Sequence, residues 1–259
     1  MANALPWRLW WLQARALLLG SLPNRCLVCH QQVTEGTGIC GFCLDACCYQ
    51  GPVCLGCGRS LDAEFGFCAP CRILNALPVV AGASYHRGLG HAVAAIKYQG
   101  QFAAIEPLCR RLASRVQQLR QARLIRPVSL LLPVPLHPTR LRQRGFNQAY
   151  EIAKELSRQT GIAVAPDLLG RCRNTPPQAG LDGRARRRNL QQAFVINGVC
   201  SAGSVALVDD VVTTGSTASA IATLLEAQGV SVQVWCLARA EAPGLLDEAV
   251  QGSMAAGSR

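Results

Sequence analysis

Between residues 76 and 240, short unbroken apolar runs alternate with amphipathic stretches, the rhythm of a parallel β-sheet covered by helices on both faces. Strands are predicted at 78–85, 129–134, around 162–165, around 193–196 and over Val205–Val208. The segments 90–98, 102–123 and 145–159 carry helical signals, and Ile221, Leu224 and Leu225 place a further helix after the last of these strands. The expected class is α/β. Ahead of this domain the pattern breaks, and residues 22–75 form a cysteine-rich module. Residues 1–21 hold Trp7, Leu9, Trp10, Trp11, Leu12 and Leu17–Leu19, interrupted by Arg8, Gln13 and Arg15. These apolar runs are shorter than a bilayer crossing needs, so a short amphipathic helix packed on the protein is expected there. From Glu241 to Arg259 periodicity is lost, and a disordered tail is expected.

The richest chemistry lies at Val205-Ala206-Leu207-Val208-Asp209-Asp210-Val211-Val212-Thr213-Thr214-Gly215-Ser216-Thr217. At the carboxyl end of a buried parallel strand, a glycine lets the backbone approach a ligand, and the amides that open the next helix point at an anion. The hydroxyls of Thr213, Thr214, Ser216 and Thr217 add donors. Two acids directly before such a turn would repel a lone phosphate, but they suit a sugar phosphate. Carboxylates accept hydrogen bonds from ribose hydroxyls while the turn holds the 5-phosphate a sugar's length away. This order resembles the signature of type I phosphoribosyltransferases, which bind phosphoribosyl pyrophosphate (PRPP). The fold it implies is a parallel sheet flanked by helices.

Ten of the 14 cysteines lie between Cys26 and Cys71, and eight of those form four CxxC pairs: Cys26/Cys29, Cys40/Cys43, Cys54/Cys57 and Cys68/Cys71. Ten residues separate the first pair from the second and the third from the fourth. The two-residue gap lets amides turn toward both thiolates, and two such knuckles complete a zinc tetrahedron. Two structural zinc ions are expected, which makes 22–75 a double zinc-ribbon module. Sequential pairing gives two tandem ribbons and interleaved pairing a cross-braced module; the equal repeat and the short 44–53 linker favour the sequential arrangement. Disulfides would need an oxidising compartment, and the chain shows no export signal. Four thiolates leave no open coordination position, so these ions hold structure and do not activate water.

Net charge is +11 with pI near 9.3, and Lys97 and Lys154 are the only lysines. Between Pro107 and Arg188 stand 17 Lys or Arg against 4 Asp or Glu, so anionic partners are expected. Within that stretch, Pro133, Pro135 and Pro138 predict a rigid strand-to-helix loop through His137 to Arg140, Arg142 and Arg144. Its guanidinium forks suit a pyrophosphate. A second basic stretch, from Arg171 through Arg188, is long and polar and is expected to act as a lid.

The double CxxC module, the run Leu132-Pro133-Val134-Pro135-Leu136-His137-Pro138-Thr139-Arg140-Leu141-Arg142-Gln143-Arg144-Gly145-Phe146-Asn147-Gln148, the 175–189 loop with Gln178, Leu181 and Arg187, and Val208–Thr217 together resemble the ComF family of competence and GntX-like proteins. The resemblance covers about residues 22–239. It implies a phosphoribosyltransferase fold with an N-terminal zinc finger, and a cytoplasmic role on imported single-stranded DNA beside other DNA-uptake proteins, in natural transformation or in the use of DNA as a nutrient. Peripheral contact with the inner membrane is the alternative location. In this reading Asp209, Asp210, Arg140, Arg142 and Arg144 act at the reacting sugar. Thr213, Thr214, Gly215, Ser216, Thr217, Lys97, His137 and Arg187 bind PRPP, and Mg accompanies it. A DNA-binding protein or a PRPP sensor without turnover is the competing expectation, and the acceptor is unassigned.

Overall fold

The computed structural model describes residues 25–33, 38–62, 66–173 and 192–240. The expected 1–21 helix, the 175–189 lid with Arg187 and the 241–259 tail lie outside the described residues. The chain opens with two short helices in the cysteine module, α1 (Gly41–Cys47) and α2 (Ala69–Ile73). Strand β1 (Val79–Ser84) follows, then a kinked turn at Tyr85–Leu89, α3 (Gly90–Gln99), a 3-10 turn (Phe102–Ala104) and α4 (Ile105–Gln121). Next come β2 (Leu130–Pro133), α5 (Pro138–Arg144), α6 (Gln148–Thr160), β3 (Ala163–Val164), β4 (Leu169–Arg171) and β5 (Phe194–Ile196). Strand β6 (Ser204–Val212), α7 (Ser216–Glu226) and β7 (Ser231–Arg239) complete the domain.

Five strands form one parallel sheet in the order β1-β7-β6-β2-β3. Strand β6 is central, with β7 on one side and β2 on the other, and its Val205–Val208 run is fully buried because both faces are covered. Side chains alternate between the faces. Ala206 and Val208 pack with Leu108, Leu112 and Val116 of α4 and Ile152 and Leu156 of α6, whose apolar positions recur every three to four residues. Val205 and Leu207 pack on the other face with Ala218, Ile221 and Leu225 of α7. The α/β class, with a parallel sheet flanked by helices behind a cysteine module, is as expected.

Several local expectations are corrected. Residues 138–144 are not a loop: Pro138 stands in the first turn of α5, where its missing N–H is harmless, and His137 Nδ1 accepts a bond from Thr139 N at 3.3 Å as the cap. The strand near 193–196 stays out of the main sheet; β5 pairs antiparallel with β4, so that Leu169 lies opposite Ile196 and Arg171 opposite Phe194. The 102–123 helix begins only at Ile105, after the 3-10 turn.

The cysteine module is bonded to the sheet. On the outer rim of β1, Cys48 bridges Ala83 in antiparallel fashion and Tyr49 N donates to Gly82 O at 3.2 Å. Val79 N donates to Leu55 O at 2.8 Å. Arg239, buried at the end of β7, donates to the carbonyls of Leu55 and Gly56.

Candidate phosphoribosyl site and metal centres

Strand β6 delivers Asp209 and Asp210 to the carboxyl end of the sheet, and strand alternation sends them to opposite faces. Asp210 is 3% exposed and faces α3, where Lys97 Nζ lies 3.5 Å from its Oδ2. Its Oδ1 accepts from Val211 N at 2.9 Å, while Oδ2 has no hydrogen bond. Asp209 Oδ1 accepts from Asp210 N at 2.9 Å. Burial, and then the neighbouring Asp210 carboxylate, push the Asp209 carboxyl well above the usual carboxylate range, against a smaller opposing pull from Lys97.

The turn joins β6 to α7. Gly215 has φ 71°, a left-handed conformation that side chains adopt at a cost, and it opens α7 with no side-chain cap. At the opening of α7 the Ser216 amide donates to Thr214 Oγ1 at 3.4 Å, and the Thr214 and Ser216 hydroxyls lie 3.1 Å apart. Thr213 and Thr214 are exposed, and Ser216 and Thr217 are half-buried.

The structure separates the three arginines of α5. Arg140 and Arg144, four residues apart, share one side of the helix, and Arg142 projects away from them. Arg144 reaches Gln148 Oε1 at 2.5 Å and lies 5.6 Å from the centre of the Tyr98 ring. Arg140 stands near Arg171, a residue that sequence reasoning placed in a basic stretch and did not assign to the site. Arg171 comes from the β4–β5 hairpin; burial lowers the proton affinity of its guanidinium, Arg140 lowers it further, and Asp209 acts in the opposite direction. The only signal for Arg171 was its charge, because the hairpin that aims it was not predicted. His137 is committed through Nδ1 to capping α5.

In the module, the sulfurs of Cys26, Cys29, Cys40 and Cys43 lie within 4.8 Å of one another, as do those of Cys54, Cys57, Cys68 and Cys71. The pairing is sequential, as favoured above. Sulfur separations of 3.8 Å for Cys29–Cys40, 3.5 Å for Cys54–Cys68 and 3.7 Å for Cys57–Cys68 match the tetrahedral edge of about 3.8 Å that Zn–S bonds of about 2.3 Å require. Amides turn toward the sulfurs as a knuckle demands: Val28 N and Cys40 N each donate to Cys26 Sγ at 3.4 Å, and Cys68 N donates to Cys54 Sγ at 3.2 Å. Burial alone raises the Cys26 and Cys54 thiols, yet these contacts outweigh it and hold both down to about 6, in thiolate form at neutral pH. Gly56 leaves room for the second cluster, since a Cβ there would sit 2.6 Å from Cys71 Sγ. Both cysteine sets fit zinc.

Among the described residues no helix is long and apolar enough to cross a membrane. No protein-family model matches the chain. Among solved structures, an adenine phosphoribosyltransferase overlaps 51% of this chain and 80% of its own at 15% identity with TM-score 0.32. That of Leishmania tarentolae overlaps 61% and 76% at 14% identity with TM-score 0.33. Among curated proteins, Competence protein F of Haemophilus influenzae is 34% identical over 226 residues, 83% of this chain and 97% of its own. DNA utilization protein YhgH of Escherichia coli O157:H7 is 32% identical over 225 residues, 85% and 98%, and its Salmonella typhi counterpart matches at the same identity and coverage. With relatives above 30% identity aligned over nearly their whole length, the chain belongs to the ComF family.

Proposed function

We propose that this protein binds PRPP with Mg at the carboxyl end of β6 and transfers its phosphoribosyl group, in the cytoplasmic processing of imported single-stranded DNA. The observation that carries the reading is the sequence of features at one sheet edge: a half-buried acid, a buried acid, a left-handed glycine and the N-terminus of α7. A ribose 5-phosphate spans such a series, its hydroxyls on the carboxylates and its phosphate on the α7 amides. The relatives, a competence protein and DNA utilization proteins, support the setting in DNA uptake.

In the proposed reaction the acceptor attacks C1 of the ribose, the bond from C1 to the pyrophosphate oxygen breaks, and pyrophosphate leaves with the electron pair. Arg140 and Arg171 flank the Asp209 side and stabilise the departing charge. Arg144 and Lys97 add positive charge around the same ligand. The carboxylates of Asp209 and Asp210 suit a hard cation, and Asp210 Oδ2, buried without a hydrogen bond, is an oxygen donor in reserve. Mg bound with the diphosphate supplies neutralisation of its charge. Asp210 holds Lys97 at the site.

Titration calorimetry with PRPP and Mg on metal-replete protein tests the reading. Saturable heat is expected in the wild type, with affinity reduced at least about tenfold in Asp210→Asn, the loss of one charge-assisted hydrogen bond. No heat with wild type, or an unchanged affinity in the variant, overturns it. Release of pyrophosphate across an acceptor panel then separates a transferase from a sensor that binds without turnover.

A further inference from the structure

We infer that Tyr98, with Phe102, Phe146 and Arg144 around it, is a stacking platform for an unpaired nucleobase of single-stranded DNA at the mouth of the phosphoribosyl site. The inference rests on the PRPP reading above for its position, and on its own observations for its chemistry.

Tyr98 is 73% exposed at the end of α3, and Phe102, in the 3-10 turn, is 39% exposed. Single exposed aromatic residues are ordinary, but here a ring under a guanidinium and a pair of phenylalanines come from separate elements on either side of Gly100, where a Cβ would lie 3.5 Å from Phe146. Phe102 and Phe146 meet edge to face with centroids 4.9 Å apart. Arg144 lies 5.6 Å from the Tyr98 ring centre and is held in place by Gln148, itself 4% exposed. The cluster is anchored at the sheet edge that carries the acids. Asn147, next to Phe146, donates to Val134 O at 3.1 Å, and Val134 N donates to Val208 O in β6. Lys97, the residue before Tyr98, reaches Asp210 at 3.5 Å. The Tyr98 ring thus stands one residue along the chain from the lysine that reaches the buried acid.

A flat ring with a cation over it offers one surface for a base and one charge for a phosphate, the combination that single-strand binders use. Bases in a duplex have no free face to give it, so the occupant is a single strand. The 17 basic residues between 107 and 188 against 4 acidic ones supply attraction for its backbone. An apolar protein partner would instead cover the charges of Arg144 and Lys97 without adding a counter-charge.

The test uses the zinc-replete full chain, without PRPP, and a single-stranded oligodeoxynucleotide bearing a central 2-aminopurine. Saturable quenching of its fluorescence is expected. Tyr98→Ala should weaken binding about 5- to 100-fold, Phe102→Ala should weaken it in the same direction, and Tyr98→Phe should stay within about threefold of wild type, because stacking needs the ring and not the hydroxyl. Circular dichroism and zinc content confirm that each variant is folded, and an exposed side chain such as Tyr98 is removable without unfolding. Unchanged affinity in folded Tyr98→Ala overturns the inference. So does equal quenching with the duplex form, or equal affinity for free 2-aminopurine deoxyriboside, which would assign the rings to a monomeric base. Calorimetry with PRPP on the same preparations keeps the two proposals apart, since its failure would remove the sugar site and leave the oligonucleotide result standing.

Discussion

Asp210 is enclosed beside Lys97 on the α3 face, whereas Asp209 opens toward the hairpin side, where burial and its neighbour favour the protonated form. A carboxyl that keeps its proton in the folded chain binds more protons folded than unfolded. Its contribution to stability is present at low pH and is lost as pH rises from the ordinary carboxylate value toward its own raised one. Asp209 therefore costs stability at neutral pH, and Asp209→Asn is expected to raise Tm by about 2–4 °C at pH 7. The difference should fade below about pH 4, where the acid is protonated in both states. The same variant should lose PRPP binding. A scanning calorimetry series across pH checks the first part, and a Tm unchanged or lowered at pH 7 would refute it. At this scale the sequence was informative about residue types in order, and the acids, the glycine and the hydroxyls stand where their order puts them. It placed Arg171 only at the start of a basic lid, because the residue's approach to Asp209 depends on a strand pairing between segments more than twenty residues apart.

Among the elements, those with a strong period were legible. The buried run at Val205–Val208 and the apolar stripes of α4 and α6 appear within a few residues of their predicted bounds, since burial on one or two faces leaves a repeating mark. Helix α5 was not legible, because three prolines in six residues read as a loop, although a proline just inside a helix start is compatible with the helix. Strand β5 was anticipated, but β4 and its antiparallel pairing with β5 were missed, because three residues are too short for alternation to register. The cysteine spacing favoured the correct pairing of knuckles. Metal analysis of the purified protein is expected to return two zinc ions per chain, falling to one in Cys43→Ser and to one in Cys71→Ser, with the other cluster retained. A loss of both ions from either single variant would mean that the two clusters fold as one unit.

For the whole molecule, the concentration of basic residues between 107 and 188 predicts how it meets nucleic acid. Single-strand affinity should fall about 10- to 100-fold between 50 and 200 mM salt, the response of roughly three to five neutralised phosphates. Charge reversal at Arg144 or Arg171 should flatten that slope, and a salt-insensitive affinity would show that the charge serves another purpose. The attachment of the cysteine module was not readable at this scale, since Cys48, Tyr49 and Leu55 carry no signal that they will pair with β1 or cap β7. Those bonds give the module a second role. The outer rim of β1 would otherwise present unpaired amides and carbonyls along a strand of buried apolar side chains, and the Cys48–Tyr49 segment occupies it. A chain deprived of its ions would loosen that cover and offer the rim to another copy of itself, so that metal scarcity would be felt in the cell as clumping of the protein before any fault in its chemistry.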